Sequence, residues 1–380
     1  MIAFLITSLN VRGGTHKQLL KLVEYTESQG EDFIIITKPV DWDRTYPGFR
    51  KYKNKVRTIS IESSTKNILS KVYNAIKVMF ILHKFVKDVS IVNIHDSGFE
   101  LYLPALIGKK IVWQINDLPY YFHVGVSKGA KITIYDFLRK KYLLFFQKFI
   151  TAYTVNVGKN KERIRNVFHR DAQVFYCGIE PVEVDRNPDV TVARFNGKKI
   201  NLLSSGVFFP YRNYETQVLV VKSLVKKGID AELNIIGTTK FNVAYANKIQ
   251  QLINEAGLEK RITICGEVDE TEFKRLHKNA DVFMFINIDQ SWGLAVFEAM
   301  SCGLPVIVSN SVGATEILHD RKDSIFVDPI NVEQIVDEII LLMNNEVWYQ
   351  QISFSSREFH KNYTWDSAYS SKMFDFMKNI

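Results

Sequence analysis

The chain of 380 residues carries only three cysteines, Cys177, Cys265 and Cys302, odd in number and scattered. That excludes a disulfide framework and a cysteine-rich zinc site, and it fits a reducing, cytoplasmic setting. No run reaches the roughly 18 to 20 uncharged apolar residues that a helical membrane span needs. The opening MIAFLITSLNV is apolar, but it lacks a basic start and runs into Gly13-Gly14 where a cleavage site would be. It reads as a first strand and not as an export leader.

Hydrophobic residues make up 46% of the chain and charged ones 24%, the proportions of a globular protein, and the length suits two domains over one. Charge is unevenly placed. Residues 1–180 hold 28 Lys and Arg against 15 Asp and Glu, a net +13, while residues 181–380 hold 21 against 26, a net −5. A basic half implies an anionic partner: phospholipid headgroups, a diphosphate-linked acceptor or nucleic acid, with a plain solvated surface as the simpler alternative.

Strand-like apolar runs alternate with helical periodicity throughout. The first half offers strands at Ile2–Thr7, Asp32–Thr37, Ser90–His95, Ile111–Asn116, Thr151–Asn156 and Val174–Cys177. Such alternation predicts an α/β fold with a parallel sheet covered by helices. The polar stretch around Pro181 and Pro188 has no clear period and reads as a linker over 181–198. The pattern then restarts, with strands at Asn201–Ser205, Ala231–Ile236, Ile262–Cys265, Asp281–Ile286, Val306–Ser309 and Ile325–Val327. Asp269 and Glu272 are spaced to open a helix between two of them. Helical spacing follows over Val332–Met343, Val347–Phe359 and Trp365–Met377. Two Rossmann-like domains in tandem are expected, with ligands beyond the carboxyl ends of their strands.

The stretch DVFMFINIDQSWGLAVFEAMSCGLPVIVSN, residues 281–310, reads as strand, loop, helix, stop and strand. Gly303 supplies the residue that ends the helix and Pro305 forbids its continuation. A loop-to-helix junction near Gly293 presents free backbone N–H groups, suited to a phosphate or diphosphate. One carboxylate, Glu298, lies inside the apolar helix. It is either an edge residue in water or a partner for ligand hydroxyls.

The string QSWGLAVFEAMSCGLPVIVS resembles the donor-site signature of retaining glycosyltransferases of family 4 (glycosyl transferases group 1), which have the GT-B fold and use nucleotide sugars. That family has two Glu residues with seven positions between them. Glu298 falls on the second, while Gln290 occupies the place of the first. The resemblance implies two Rossmann-like domains facing across a cleft: 1–180 for the acceptor, 199–360 for the donor, and a helix over 361–380 that crosses back to the first domain. It implies that Glu298 holds the ribose hydroxyls, that the backbone at Ser291, Trp292, Gly293 and Leu294 holds the diphosphate with Arg212, and that Gln290 meets the sugar. Gly14, of the Gly13-Gly14 turn, is placed against the diphosphate, and Val268 near the base. His95 ends one strand; Asn116 stands where the family commonly has a histidine near the reacting sugar, so His95 or His123 is left to substitute for it. Val207 replaces a family arginine, Arg212 takes the place of a lysine, and Ala314 replaces the second glycine of a turn that precedes Glu316.

No cofactor beyond a UDP- or GDP-linked donor sugar is implied. Family members work without a bound metal, and no Asp-x-Asp pair is assigned to one. Two stretches are candidates for acceptor or membrane contact. The first is the helix over 135–150, which mixes aromatics with Arg139, Lys140, Lys141 and Lys148, and is otherwise an ordinary amphipathic cover. The second is the irregular stretch Asp41–Thr58, where Trp42, Tyr46, Phe49 and Tyr52 lie among basic residues. It also suits single-stranded nucleic acid, but no RNA-binding motif accompanies it. The expected activity is transfer of a sugar to a glycan or lipid-linked acceptor, with peripheral contact to anionic membrane and no nucleic acid. The alternatives are a non-catalytic homologue that binds nucleotide sugar or glycan, in keeping with Gln290, Asn116 and Val207, and a nucleotide-sugar epimerase.

Overall fold

A computed structural model describes residues 1–60, 68–119, 122, 134–289 and 292–380. The chain divides into two compact units, one of Met1–Gly178 with Trp365–Ile380, the other of Ile179–Thr364.

The first unit is built on a parallel sheet of β1 (Ile2–Leu5), β2 (Phe33–Thr37), β3 (Val56–Thr58), β4 (Ile91–His95), β5 (Lys110–Ile115), β6 (Ala152–Val155) and β7 (Ala172–Val174). The strand order is β3-β2-β1-β4-β5-β6-β7, so the winding reverses between β1 and β4. Four helices connect these strands: α1 (Gly14–Ser28), α2 (Ile68–Phe85), α3 (Ile134–Phe146) and α4 (Gly158–Phe168). Helices on both faces bury both sides of each strand, which is why β1 and β4 are buried at every position. In β4 that rule encloses two polar side chains, Asn93 and His95.

The second unit repeats the plan with α5 (Pro188–Asn196), β8 (Lys199–Ser205), α6 (Tyr214–Lys226), β9 (Asp230–Ile236), α7 (Val243–Glu255), β10 (Ile262–Gly266), α8 (Glu270–Asn279) and β11 (Val282–Phe285). It continues through α9 (Leu294–Ser301), β12 (Val306–Ser309), β13 (Ile325–Val327), α10 (Val332–Asn344) and α11 (Glu346–Phe359). The order is β10-β9-β8-β11-β12-β13, all parallel, with the reversal between β8 and β11. Asp269 caps α8 by accepting the Glu272 N–H at 2.8 Å, and Gly303 ends α9 in the left-handed region at φ 72°.

The last helix, α12 (Ser371–Asn379), belongs to the first unit. Met373 and Met377 are buried, and the Phe374 and Phe376 rings meet Tyr25 and Phe175 edge-on at 5.7 and 5.5 Å.

Two stretches differ from the sequence reading. Residues 181–198 include helix α5, whose Val192 and Phe195 are buried in the core of the second unit. Its short length hid the apolar period. The stretch Asp41–Thr58 is ordered as a 3-10 helix, Pro47–Lys55, followed by β3, and Phe49 and Tyr52 are buried core residues. An acceptor-contact role for those two rings is corrected accordingly. All three cysteines are free thiols, and among the described residues no helix is long and apolar enough to cross a membrane.

Candidate functional site

In the second unit the carboxyl ends of β8, β9 and β10 meet through glycine. Gly206 N–H donates to Ile236 O at 2.8 Å and Gly237 N–H to Gly266 O at 2.9 Å. A Cβ on Gly237 would lie 1.9 Å from Gly206 O, so only glycine fits there. The Arg212 guanidinium covers the face of Gly206, where a Cβ would lie 2.6 Å from its Cζ.

Arg212 ends a 3-10 turn, Pro210–Arg212, and Asn213 follows in the left-handed region at φ 53°. The Asn213 amide donates to Ile286 O at 3.2 Å and Pro329 O at 2.7 Å, and Ile288 N–H donates to Tyr211 O at 2.7 Å, so the turn is pinned to the end of β11. The guanidinium carbon lies 5.5 Å from the centre of the Phe285 ring and 5.3 Å from that of Tyr211. Its Nε is buried with no hydrogen-bond partner among the described residues. An N–H left so is costly unless an acceptor reaches it.

The Phe285 ring also touches the start of α9. Gly293, the N-cap at φ 106°, has no room for a side chain: a Cβ would lie 2.9 Å from the Phe285 ring edge and 3.3 Å from Val312. The first turn of α9 contains no acidic residue to offset its dipole. A cation and a helix N-terminus are therefore gathered around one aromatic ring, an arrangement that binds an anion with several oxygens.

The other expected donor residues lie on the same unit. Glu298 is half-buried in the second turn of α9, and its carbonyl accepts the Ser301 hydroxyl at 2.7 Å. The Trp292 ring is buried and stacked on Phe297 at 5.1 Å, leaving its backbone, whose carbonyl takes Ala314 N–H at 3.0 Å. Leu294 opens α9. Val268 is half-buried, two residues past Gly266. Val207 is half-buried beside Gly206, and Glu316 is exposed at the end of the turn Gly313–Glu316. Gln290, Ser291 and His123 lie outside the described residues.

In the first unit the structure brings the Gly14 turn, His95 and Asn116 together, but in a structural arrangement. Thr15, next to Gly14, receives Asn116 Nδ2 on its hydroxyl at 3.1 Å, and its carbonyl lies 3.2 Å from His95 Nε2. The second N–H of Asn116 goes to Gln18 Oε1 at 2.9 Å, and its Oδ1 accepts Gln114 Nε2 at 3.1 Å. His95 is fully buried, and burial lowers its pKa to about 3. A neutral imidazole has one N–H. Both of its neighbours are oxygens, Thr15 O beside Nε2 and Asn93 Oδ1 3.2 Å from Nδ1, so it donates to one of the two. Both side chains help fix α1 against β4 and β5.

Asp96, the next residue, is different. It is half-buried and held at φ 76°, a strained setting for a residue other than glycine, with its N–H on Gln114 O and its carbonyl accepting Trp113 Nε1. Burial first, then the neighbouring carboxylates of Asp117 and Glu100, raise its pKa to about 7. Nothing in the sequence marks the left-handed backbone that sets it there.

Asp41-Trp42-Asp43 has Asp-x-Asp spacing, which the sequence reading left out of account. Asp41 accepts the Asp43 N–H at 3.1 Å, and Asp43 is paired with Arg50 at 2.7 Å. Among the described residues no cluster of three His, Cys, Asp or Glu is placed to hold a metal.

Residues 185–359 match the family model described as Glycosyl transferases group 1. That match lies within the second unit. The chain is 25% identical over 244 residues to an uncharacterized glycosyltransferase of Methanocaldococcus jannaschii, covering 59% of each chain. It is also 25% identical over 190 residues to a GDP-mannose-dependent alpha-(1-6)-phosphatidylinositol monomannoside mannosyltransferase of Mycobacterium tuberculosis, covering 48% of each. The matches thus span about half the length of these relatives. Among solved structures, HepE of Anabaena in complex with UDP superposes with a TM-score of 0.76 at 12% identity, covering 100% of both chains. WaaG, a glycosyltransferase involved in lipopolysaccharide biosynthesis, gives 0.73 at 14%, again over 100% of both. Both units of this chain are Rossmann-like, as in the GT-B fold of these structures. The group 1 match covers the Arg212 turn, the glycine ends and α9.

Two predictions follow from this geometry. Gly237→Ala forces the ends of β8 and β9 apart and costs on the order of 3 kcal/mol; an unchanged thermal midpoint contradicts the close approach. For Asp96 the native pKa stands above its unfolded value, so the native state holds a proton that the unfolded state releases between about pH 4 and pH 7. Stability therefore falls through that window. Asp96→Asn, which keeps the shape and tolerates the left-handed backbone, raises the thermal midpoint more at pH 8 than at pH 4. An equal gain at both contradicts it.

Proposed function

We propose that this protein is a glycosyltransferase that takes a hexose from a UDP- or GDP-linked donor held by the second unit and passes it, with retention of configuration, to a glycan or lipid-linked acceptor. The observation that carries the reading is Arg212: a guanidinium with an unsatisfied buried N–H, laid over Gly206 and sharing the Phe285 ring with the start of α9.

Glycosyl transfer passes through an oxocarbenium-like state, so charge that develops on the departing diphosphate is what must be stabilised. Arg212 and the amides at Gly293 and Leu294 supply that stabilisation without a bound metal. Glu298, half-buried one turn on, accepts from the ribose hydroxyls, and the loop past Gly266 with Val268 borders the base. Gln290 contacts the sugar. In the first unit Asp96 has a half-buried carboxyl, bonded to the Ser97 backbone, and a neutral-range pKa, so we assign to it the acceptor chemistry expected of His95. The protein works in the cytoplasm, in peripheral contact with anionic membrane through its basic first unit.

A second reading, a donor-binding homologue without transfer activity, draws on Val207, which leaves the Gly206 turn with the Arg212 cation and not two. Transfer of label from UDP- and GDP-sugars to a membrane extract separates them, and activity that persists in EDTA accords with metal independence. Isothermal titration tests the shared core. UDP or GDP binds the wild type, Arg212→Ala weakens that binding by about 10- to 100-fold, as loss of a charged hydrogen bond does, and Glu298→Ala weakens it likewise. Absence of heat with both nucleotides, or unaltered affinity in Arg212→Ala, refutes the assignment.

A further inference from the structure

Two helices of the first unit are anchored on one segment and turn apolar stripes to solvent. His83 of α2 lies 3.3 Å from Ala105 O, and Tyr142 of α3 donates to Leu101 O at 2.9 Å; both carbonyls belong to the 3-10 segment Phe99–Leu106. Each helix spends one face on the core, through Val78 and Leu82 on α2 and Leu143 on α3. On its other face α2 exposes Val72, Ile76 and Phe80, four residues apart each time, with Phe80 75% exposed. On α3 the exposed apolar residues include Ile134, Phe137, Leu138 and Phe145, the last 60% exposed. Helical spacing puts each set on one side of its helix, and Ile107, just past the segment, is exposed as well.

The exposed charge on these two helices has one sign, and Asp88, exposed just past α2, has Lys87 beside it. Helix α2 contains no Asp or Glu, and the acids of α3 and the segment, Asp136 and Glu100, are buried. The exposed charges are Lys77 and Lys84 on α2 and Lys141 on α3, with Lys148 just beyond. Lys148 and Lys141 lie along the rings they flank, Nζ being 4.3 Å from the centre of Phe145 and 5.6 Å from that of Phe137. Their stems follow apolar surface while the ammonium reaches past it.

We propose that α2, α3 and the segment between them form a docking face for an anionic lipid bilayer, into which the exposed rings and aliphatic side chains insert while the lysines meet the headgroups. Charge decides between occupants. A second copy of the same face would set lysine against lysine, whereas an anionic surface neutralises them and covers the apolar stripes. This deepens the membrane contact proposed above by naming the face that makes it, and rests on that reading.

The test is co-sedimentation of the full chain with phosphatidylcholine vesicles, with and without phosphatidylglycerol, beside titration of UDP and GDP in the absence of vesicles. The wild type is expected to bind the phosphatidylglycerol vesicles at least about tenfold better, less so at high salt. Phe80→Ser with Phe145→Ser, and separately Lys141→Gln with Lys148→Gln, are each expected to cut that binding about tenfold. Equal binding by either double variant, or no uptake by anionic vesicles, overturns the proposal. So does a dimer in sedimentation equilibrium that Phe80→Ser dissolves, without vesicle uptake. The nucleotide titrations keep the two readings apart: vesicle binding lost with nucleotide heat retained removes the docking face alone, and the converse removes the donor site alone.

Discussion

The second unit depends on one ring having two small neighbours. Phe285 ends β11 at the reversal of the sheet, and it fits only because Gly293 carries no side chain and because Arg212 is drawn over Gly206, another position with none. A reversal in a parallel sheet opens a crevice at the carboxyl ends of the strands. Here that crevice is furnished with a guanidinium on one side of the ring and free helix amides on the other. Positive charge is thus held in place by packing and by the Asn213 amide bonds, with no carboxylate paired to it among the described residues. That is the condition under which an arriving anion gains most.

The first unit uses the same sheet architecture differently. Its strand ends carry a buried, uncharged network of Gln114, Asn116, Gln18, Thr15 and His95, each linked to the next. Such a network rigidifies when complete and is costly when broken. It holds the Gly13-Gly14 turn in place and leaves Asp96 as the titrating group. The helices that cover the far side have an excess of apolar surface and of lysine, which the core does not consume.

Much of the fold was legible because parallel strands buried on both faces must be written as apolar runs. Those at Val306–Ser309 and Ile325–Val327 were read to the residue. Strand β3 was missed because VRT offers one buried-type residue beside two exposed ones, and Phe49 and Tyr52 were misread because a 3-10 helix buries every third residue amid lysines. The donor side was legible through α9, where the helix stop, the glycine and the lone carboxylate occur in one short stretch. The gathering of Gly206, Gly237 and Gly266 was not: each is an ordinary strand end in sequence, and only sheet order makes them neighbours. His95 read as chemistry because it ends a strand; its full burial, and the left-handed backbone of Asp96 beside it, come from the packing and could not be read in the sequence.

The central claim, that Arg212 and the start of α9 hold a diphosphate around Phe285, is tested most directly by difference density from crystals soaked in UDP and in GDP. The account predicts diphosphate oxygens within hydrogen-bond reach of Arg212 Nε and of the backbone N–H groups at Gly293 and Leu294, with the ribose hydroxyls on Glu298. A nucleotide bound elsewhere in the second unit, with Arg212 still lying unengaged over Gly206, would contradict it.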